Sequence, residues 1–341
     1  MFKKLAVQIL THFFSPHDNL IFTPMIARYL SPAYRVNNVL NVCLTSLFYI
    51  LFSQQALSND SDFADIHLHF NWDQKEIISP QEAIQRLQRN QIQLAVVSSV
   101  PTEYALLLSR LAPDWIIPLF SPYITAESRV TWFRDDKVLT LARQGIAAGQ
   151  YLGIGELHLW DGMKPKRDNP ILLGLLALAQ QYDVPFLIHT ESARGDYFLA
   201  LCRQHPQVRF LWAHAGGKLS PQQIKPVMDN CPNVWIEVSA RDPWRYDSLT
   251  DAQGNLPEDW RRLIITYSDR VMTGSDPVWN VTRTQRWDEA DTGWDHLDEL
   301  IAYQRHWLQQ LPTAVEEKVR LRNAQHFFRI SSPHAVDLHS E

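Results

Sequence analysis

Residues 63–70 read Phe-Ala-Asp-Ile-His-Leu-His-Phe. The run is short, mostly apolar and aromatic at both ends, and as a β-strand it sends His67 and His69 to the same face, because side chains two apart on a strand share a side. Two imidazoles can then converge on one ion. Seven more runs of this type follow: Gln93–Val97, Trp115–Phe120, Gly153–Leu159, Pro185–His189, Arg209–Ala213, Val234–Ser239 and Val271–Ser275. Amphipathic helical patterns lie between them, at Pro80–Arg89, Glu103–Leu111, Val138–Gln150, Ile171–Tyr182 and Pro221–Asp229, several opening with proline in the first turn. Alternation of this kind predicts a parallel sheet wrapped by helices. Eight strands, with no glycine-rich phosphate loop after the first, favour a closed (β/α)8 TIM barrel over an open doubly wound sheet. The fold class expected is therefore α/β, with one barrel domain over residues 63–330.

The chain has 341 residues, 45% of them hydrophobic, which is ample for one large core. A formal net charge of -5 supplies no basic field, so nucleic acid is not an expected partner and a small-molecule substrate is. The three cysteines, Cys43, Cys202 and Cys231, match no zinc ribbon or disulfide scaffold, and their spacing does not decide whether Cys202 and Cys231 pair. Any metal must be held by histidine and carboxylate.

Residues 1–58 read as an N-terminal extension. The uncharged run Val42–Phe52, preceded by Arg28 and Arg35 and followed by Ala56-Leu57-Ser58, has the order of a signal peptide and its cleavage site. It is shorter than the roughly 20 apolar residues a spanning helix takes. The expectation is export to the periplasm or beyond, with no stable membrane insertion after cleavage; an uncleaved anchor is the alternative. Met25 is a candidate true start. Residues 59–62 form a polar linker and 331–341 a C-terminal tail.

Barrel enzymes place their chemistry where strands end at the C-terminal mouth. His189 closes the fifth strand in PFLIHTE, His214 follows the sixth in FLWAHAGG, and Asp276 follows the eighth in VMTGSDP. A single histidine after an apolar run is usually structural; together with His67 and His69 the set is specific. His158 shares a face with Glu156 and is read either as a substrate contact or as a residue that orients a ligand. Arg241 is a candidate fork for a substrate carboxylate or phosphate, with a surface ion pair to Asp242 or Glu237 as the plainer reading. Trp72 and Trp160 are placed to wall a pocket, although packing is the commoner role of such aromatics. The segment Asp276–Asp295 is expected to loop over the mouth.

With IHLH, GIGELHL, LIHT, WAHAGG and TGSDP in order, and Asn323-Ala324 before Phe327-Phe328, the chain resembles the amidohydrolase superfamily, in particular its amidohydrolase-related branch. The resemblance covers Phe63 to about Ile330. It implies that His67, His69, His189 and Asp276 hold metal, that His214 binds a second metal or polarises the substrate, and that Asp276 also acts as general base. It also puts Glu156 where many relatives carry a carboxylated lysine bridging two metals and TatD-like nucleases carry glutamate, which fits a site of one or two divalent ions; pairing with a neighbouring Arg or Lys at the barrel rim is the alternative. Zinc suits such nitrogen and oxygen ligation, with manganese and iron as alternatives. The implied activity is hydrolysis of an ester, lactone, amide or phosphoester bond by a metal-bound hydroxide. Rival expectations are a decarboxylase on the same fold, a TatD-like phosphodiesterase and a non-catalytic binding barrel.

Overall fold

The computed structural model describes residues 62–190, 194–279 and 291–330. The N-terminal extension with its signal pattern, nearly all of the linker, the C-terminal tail and the middle of the 276–295 segment lie outside the described residues. Eight strands alternate with eight main helices: β1 (Phe63–His69), α1 (Pro80–Arg89), β2 (Ile92–Ser98), α2 (Ala105–Leu111), β3 (Ile116–Pro118), α3 (Lys137–Ala147), β4 (Ile154–His158) and α4 (Pro170–Tyr182) make the first half. The second half is β5 (Phe186–His189), α5 (Gly195–Gln204), β6 (Phe210–Trp212), α6 (Pro221–Asn230), β7 (Val234–Glu237), α7 (Glu258–Thr266), β8 (Val271–Met272) and α8 (Leu297–Leu308).

Every ladder is parallel, in the order β1-β2-β3 and β4-β5-β6-β7-β8. Two seams join the halves. Between β3 and β4, the Phe120 N–H donates to Gly153 O and the Gly155 N–H to Phe120 O, both at 2.9 Å. Between β8 and β1, Ile66 N donates to Thr273 O at 3.2 Å and Asp276 N to His67 O at 2.7 Å, while Thr273 Oγ1 donates to Ala64 O at 2.8 Å. With both seams bonded the sheet is a closed TIM barrel.

Local chemistry explains the helix starts. Ser79 and Glu82 form a reciprocal capping box ahead of Pro80, and Asn169 Oδ1 accepts from the Ile171 and Leu172 N–H groups ahead of Leu173 on α4. α1 then buries Ala83, Ile84 and Leu87 against the strands. Cys202 of α5 and Cys231, just past α6, are disulfide-bonded with Cα atoms 6.1 Å apart, which settles the pairing that spacing left open. Closing a loop of 29 residues this way is worth about 3–4 kcal/mol.

The barrel interior divides into two levels. Its N-terminal end is apolar: Ile66, Leu94, Val96, Ile117, Leu187 and Leu211 pack together, and Ala324 and Phe327 of the terminal helix Asn323–Phe328 seal them from below. Asn323 fixes that helix by donating to Val271 O at 2.7 Å. β1 loses register with β2 between Asp65 and Leu68. Across this break Ile66 packs in the apolar level while His67 turns into the polar level above it.

Candidate metal centre

Six side chains from five strands meet at the mouth. His67 and His69 come from the end of β1, Glu156 from β4, His189 from the end of β5, His214 from just past β6 and Asp276 from just past β8. His67 Nε2 and His69 Nε2 are 3.1 Å apart. Glu156 lies between the groups: Oε1 is 2.7 Å from His189 Nδ1 and 3.6 Å from both His67 Nε2 and His214 Nε2, whereas Oε2 is 3.3 Å from His69 Nε2. Asp276 completes the ring, with Oδ1 3.4 Å from His69 Nε2 and Oδ2 3.9 Å from His214 Nε2.

Several backbone features hold these groups in place. Gly155 precedes Glu156 at φ 122°, and a Cβ there would come within 2.2 Å of Leu187 O, so only glycine lets β4 lie this close to β5. Ser98 Oγ accepts from the Glu156 N–H at 2.6 Å and donates to Gly155 O at 2.7 Å. His214 and Asp276 adopt left-handed backbone, at φ 54° and 49°, an arrangement that persists only where the surroundings enforce it. For Asp276 the enforcing residue is Arg245. Its buried guanidinium pairs with Asp242 at 2.5 Å, and it donates to Ser275 O at 2.7 Å and to Asp276 O.

Glu237, the last residue of β7, is fully buried beneath the cluster. Its Oε1 accepts from His67 Nδ1 at 2.7 Å and from the His214 N–H at 2.8 Å, and its Oε2 accepts from the Ser239 N–H at 2.6 Å. A carboxylate on Nδ1 keeps a proton there, so the neutral His67 ring presents its Nε2 lone pair to the cluster. Burial works against the Glu237 charge, but His67, His214 and the hydrogen bonds outweigh it and hold the carboxyl at about 2. Burial likewise opposes the charge on Glu156, and the neighbouring His158, His67 and His189 overcome it and hold that carboxyl well below its usual range. His67 mirrors them. Burial favours its neutral form, yet Glu156, Glu237 and Asp276 push its pKa well above the ordinary value.

The donor set fits a divalent ion. Asp276 Oδ1 and His69 Nδ1 are buried without a hydrogen-bond partner, and the two Nε2 atoms of β1 face each other across a distance that one cation could bridge by binding both. Three trios have ligand atoms within 4.8 Å of one another: His67 with Glu156 and His214, His67 with His69 and Asp276, and Glu156 with His158 and His189. Overlapping trios that share Glu156 and His67 give room for one ion or two.

Above the cluster opens a cleft of about 230 Å³. Its walls are aromatic, from Trp72, Tyr123, Trp160 and Tyr246, with Arg129, Asp73 and Asp291 as charged groups beyond the cluster. Burial raises the Asp291 carboxyl to about 6, against the hydrogen bonds from Trp279 and Gly293. Trp72 and Trp160 thus line the pocket, where the sequence favoured plain packing for both. Of the described residues of the 276–295 segment, Asp276, Val278 and Asp291 reach the cleft.

His158 lines the cleft; Arg241 does not, and that expectation is corrected. Arg241 is 1% exposed and turns away from the mouth, donating to His214 O at 2.7 Å, Ala215 O at 3.1 Å and Leu219 O at 2.7 Å, with its guanidinium over the Trp260 ring. It shapes the loop after β6 and forms no ion pair with Asp242, whose partner is Arg245. Glu237, Arg245 and Tyr123 were not singled out from the sequence. For Glu237 a signal existed: a lone carboxylate inside the apolar strand Val-Trp-Ile-Glu needs a buried partner.

The sequence profile of the family described as amidohydrolase matches residues 108–330. That span begins within α2, so β1 with His67 and His69 precedes it. No curated protein matches the chain. Among solved structures the fold is similar to an uncharacterised TIM-barrel protein from Bordetella bronchiseptica, with a TM-score of 0.52 and 15% identity over 74% of this chain and 84% of that one. It is also similar to YjjV, a TatD homologue from Escherichia coli K12, with a TM-score of 0.55 and 17% identity over 79% of this chain and 98% of that one. Identities this low relate the folds alone.

Proposed function

Because the chain belongs to the amidohydrolase family, and so is a metal-dependent enzyme on a TIM barrel, we propose that it hydrolyses an ester, lactone, amide or phosphoester bond in a small molecule at a two-ion site. The observation that carries this reading is the position of Glu156, whose two carboxylate oxygens face different histidines: Oε1 faces His189, His67 and His214, and Oε2 faces His69. That is the arrangement of a bridging ligand.

In this reading His67, His69, His189, His214, Glu156 and Asp276 hold the ions, zinc first and manganese or iron as alternatives. Divalent ions bound there would lower the pKa of a bound water to about 7 and would polarise the scissile oxygen. Asp276 takes the proton of the attacking water and passes it to the leaving group. Arg245 holds the Asp276 backbone for that exchange, and Glu237 keeps the Nε2 lone pair of His67 on the cluster. The aromatic walls bind the body of the substrate. Export is supported by the signal pattern and by the Cys202–Cys231 disulfide, since structural disulfides persist in oxidising compartments.

The test is elemental mass spectrometry on the full chain, purified without chelator and reconstituted with zinc or manganese, alongside hydrolysis of 4-nitrophenyl acetate, dihydrocoumarin and bis(4-nitrophenyl) phosphate. Two equivalents of metal and turnover of a probe are expected, with Glu156→Gln losing both an ion and turnover. A single equivalent without hydrolysis would move the assignment to the decarboxylase, and no bound metal would overturn it. Export predicts a mature N-terminus near Asn59, whereas an intact extension on cytoplasmic protein contradicts it.

A further inference from the structure

Among the cluster histidines, His158 is distinguished by its partner. It follows Glu156 by two positions on β4 and lines the cleft. The Tyr123 hydroxyl lies 2.7 Å from His158 Nδ1 and 2.9 Å from the His158 backbone nitrogen. A backbone N–H only donates, so the Tyr123 oxygen accepts there. The hydroxyl has one proton to give, and among the described residues His158 Nδ1 is the acceptor it meets. Tyr123 is 3% exposed, so leaving that proton unbonded would cost about 1–3 kcal/mol. The O–H therefore donates to Nδ1, and the neutral ring carries its own proton on Nε2. His67 is the reverse case, with Nδ1 donating to Glu237, so that its neutral ring has the lone pair on Nε2.

We propose that His158 is a substrate-contacting hydrogen-bond donor and not a metal ligand: its Nε2–H, set by Tyr123, donates to the oxygen of the scissile group as charge develops there. Three contacts hold the ring for this task. It stacks on His189 at 4.5 Å, meets Trp160 edge-on at 5.6 Å and hydrogen-bonds Tyr123. Nε2 stays 3.9 Å from Glu156 Oε2, beyond hydrogen-bond range, and no hydrogen bond to it forms among the described residues. When water adds to the scissile carbon, the electron pair of the double bond moves onto its oxygen. His158 stabilises that oxygen while keeping its proton, and Asp276 handles the proton of the water. The role deepens the hydrolase reading and rests on it.

The experiment uses the full metal-loaded chain with His158→Phe, His158→Gln and Tyr123→Phe. Metal content, manganese affinity and 4-nitrophenyl acetate and dihydrocoumarin kinetics are measured, with ¹⁵N shifts of labelled histidine reporting which ring nitrogen is protonated. His158→Phe should keep the full metal content and manganese affinity within about threefold, and lower kcat by about 10²-fold with a smaller change in KM. His158→Gln, whose amide N–H reaches the Nε2 position, should recover about tenfold of that loss. In the wild type His158 should show a protonated Nε2, and Tyr123→Phe should mix the two tautomers. Loss of one ion in His158→Phe, an unprotonated Nε2 in the wild type, or an unchanged kcat would each overturn the proposal. If the wild type hydrolyses no probe, the hydrolase reading fails, and the shifts and metal count still decide whether Nε2 is a donor or a ligand.

Discussion

The two ends of the barrel are built from the same eight strands and obey opposite rules. At the N-terminal end Ile66, Leu94, Val96 and Leu211 fill the interior, a terminal helix plugs it with Phe327, and these side chains serve packing. At the C-terminal end the interior is filled by imidazoles and carboxylates, and the chain leaves several strands in left-handed backbone at His214, Ala215, Ala240 and Asp276. Such residues cost on the order of 1–3 kcal/mol each. The apolar end stabilises a barrel whose other end is strained and charged, and function sits at the end that is costly to fold.

That contrast can be broken from either side. The largest expected effect is at the mouth: Asp276→Asn should lower kcat by about 10³-fold while leaving the thermal midpoint of the ion-free protein nearly unchanged, because it removes a base and an ion ligand and keeps the shape. Kinetics on the loaded protein and calorimetry on the ion-free protein check this, and a large fall in ion-free stability would mean that Asp276 is chiefly structural. At the base, Phe327→Ala should cost about 3–5 kcal/mol in denaturant titrations and leave turnover per folded molecule intact. Loss of activity ahead of stability there would dissolve the division between the ends.

Two smaller effects sharpen the account of the mouth. Glu237→Gln puts an amide donor or a weaker acceptor against the Ser239 N–H and His67, and should weaken zinc affinity about 10–100-fold in competition titrations. An affinity equal to that of the wild type would remove the tautomer role. The smallest effect is on pH. Burial opposes a proton on His67, but the surrounding carboxylates raise its pKa well above normal in the ion-free protein, so an incoming cation displaces a proton. Affinity should then rise with pH across the neutral range by up to about tenfold per unit, with proton release visible in buffers of different ionisation enthalpy. A flat profile would place that proton elsewhere.

The architecture was legible because strand and helix periodicities are local. Each of the eight apolar runs became a strand, although β3 closes at Pro118 and β8 at Met272, earlier than the runs suggested. After Met272 the backbone turns its hydrogen bonds to β1, a partner that no local pattern reveals. The cluster histidines and Asp276 were legible from their places at strand ends. Glu237 was not picked out, because its role lies in a contact with a residue 170 positions away. Arg241 misled for the same reason: its position after β7 suggested the mouth, but three backbone carbonyls hold it inside, and Arg245, four residues on, touches the Asp276 turn instead.

The seam between β8 and β1 sets the order of events when the chain is made. Ser275 donates to Asp65 across a separation of 210 residues, and Asp276 N bonds His67 O in the same stitch. The first two histidines of the cluster to leave the ribosome therefore wait for one of the last pieces of the barrel before they meet Asp276. Until then the growing chain carries an unfinished cage, and any fragment cut short before β8 lacks the corner that completes it.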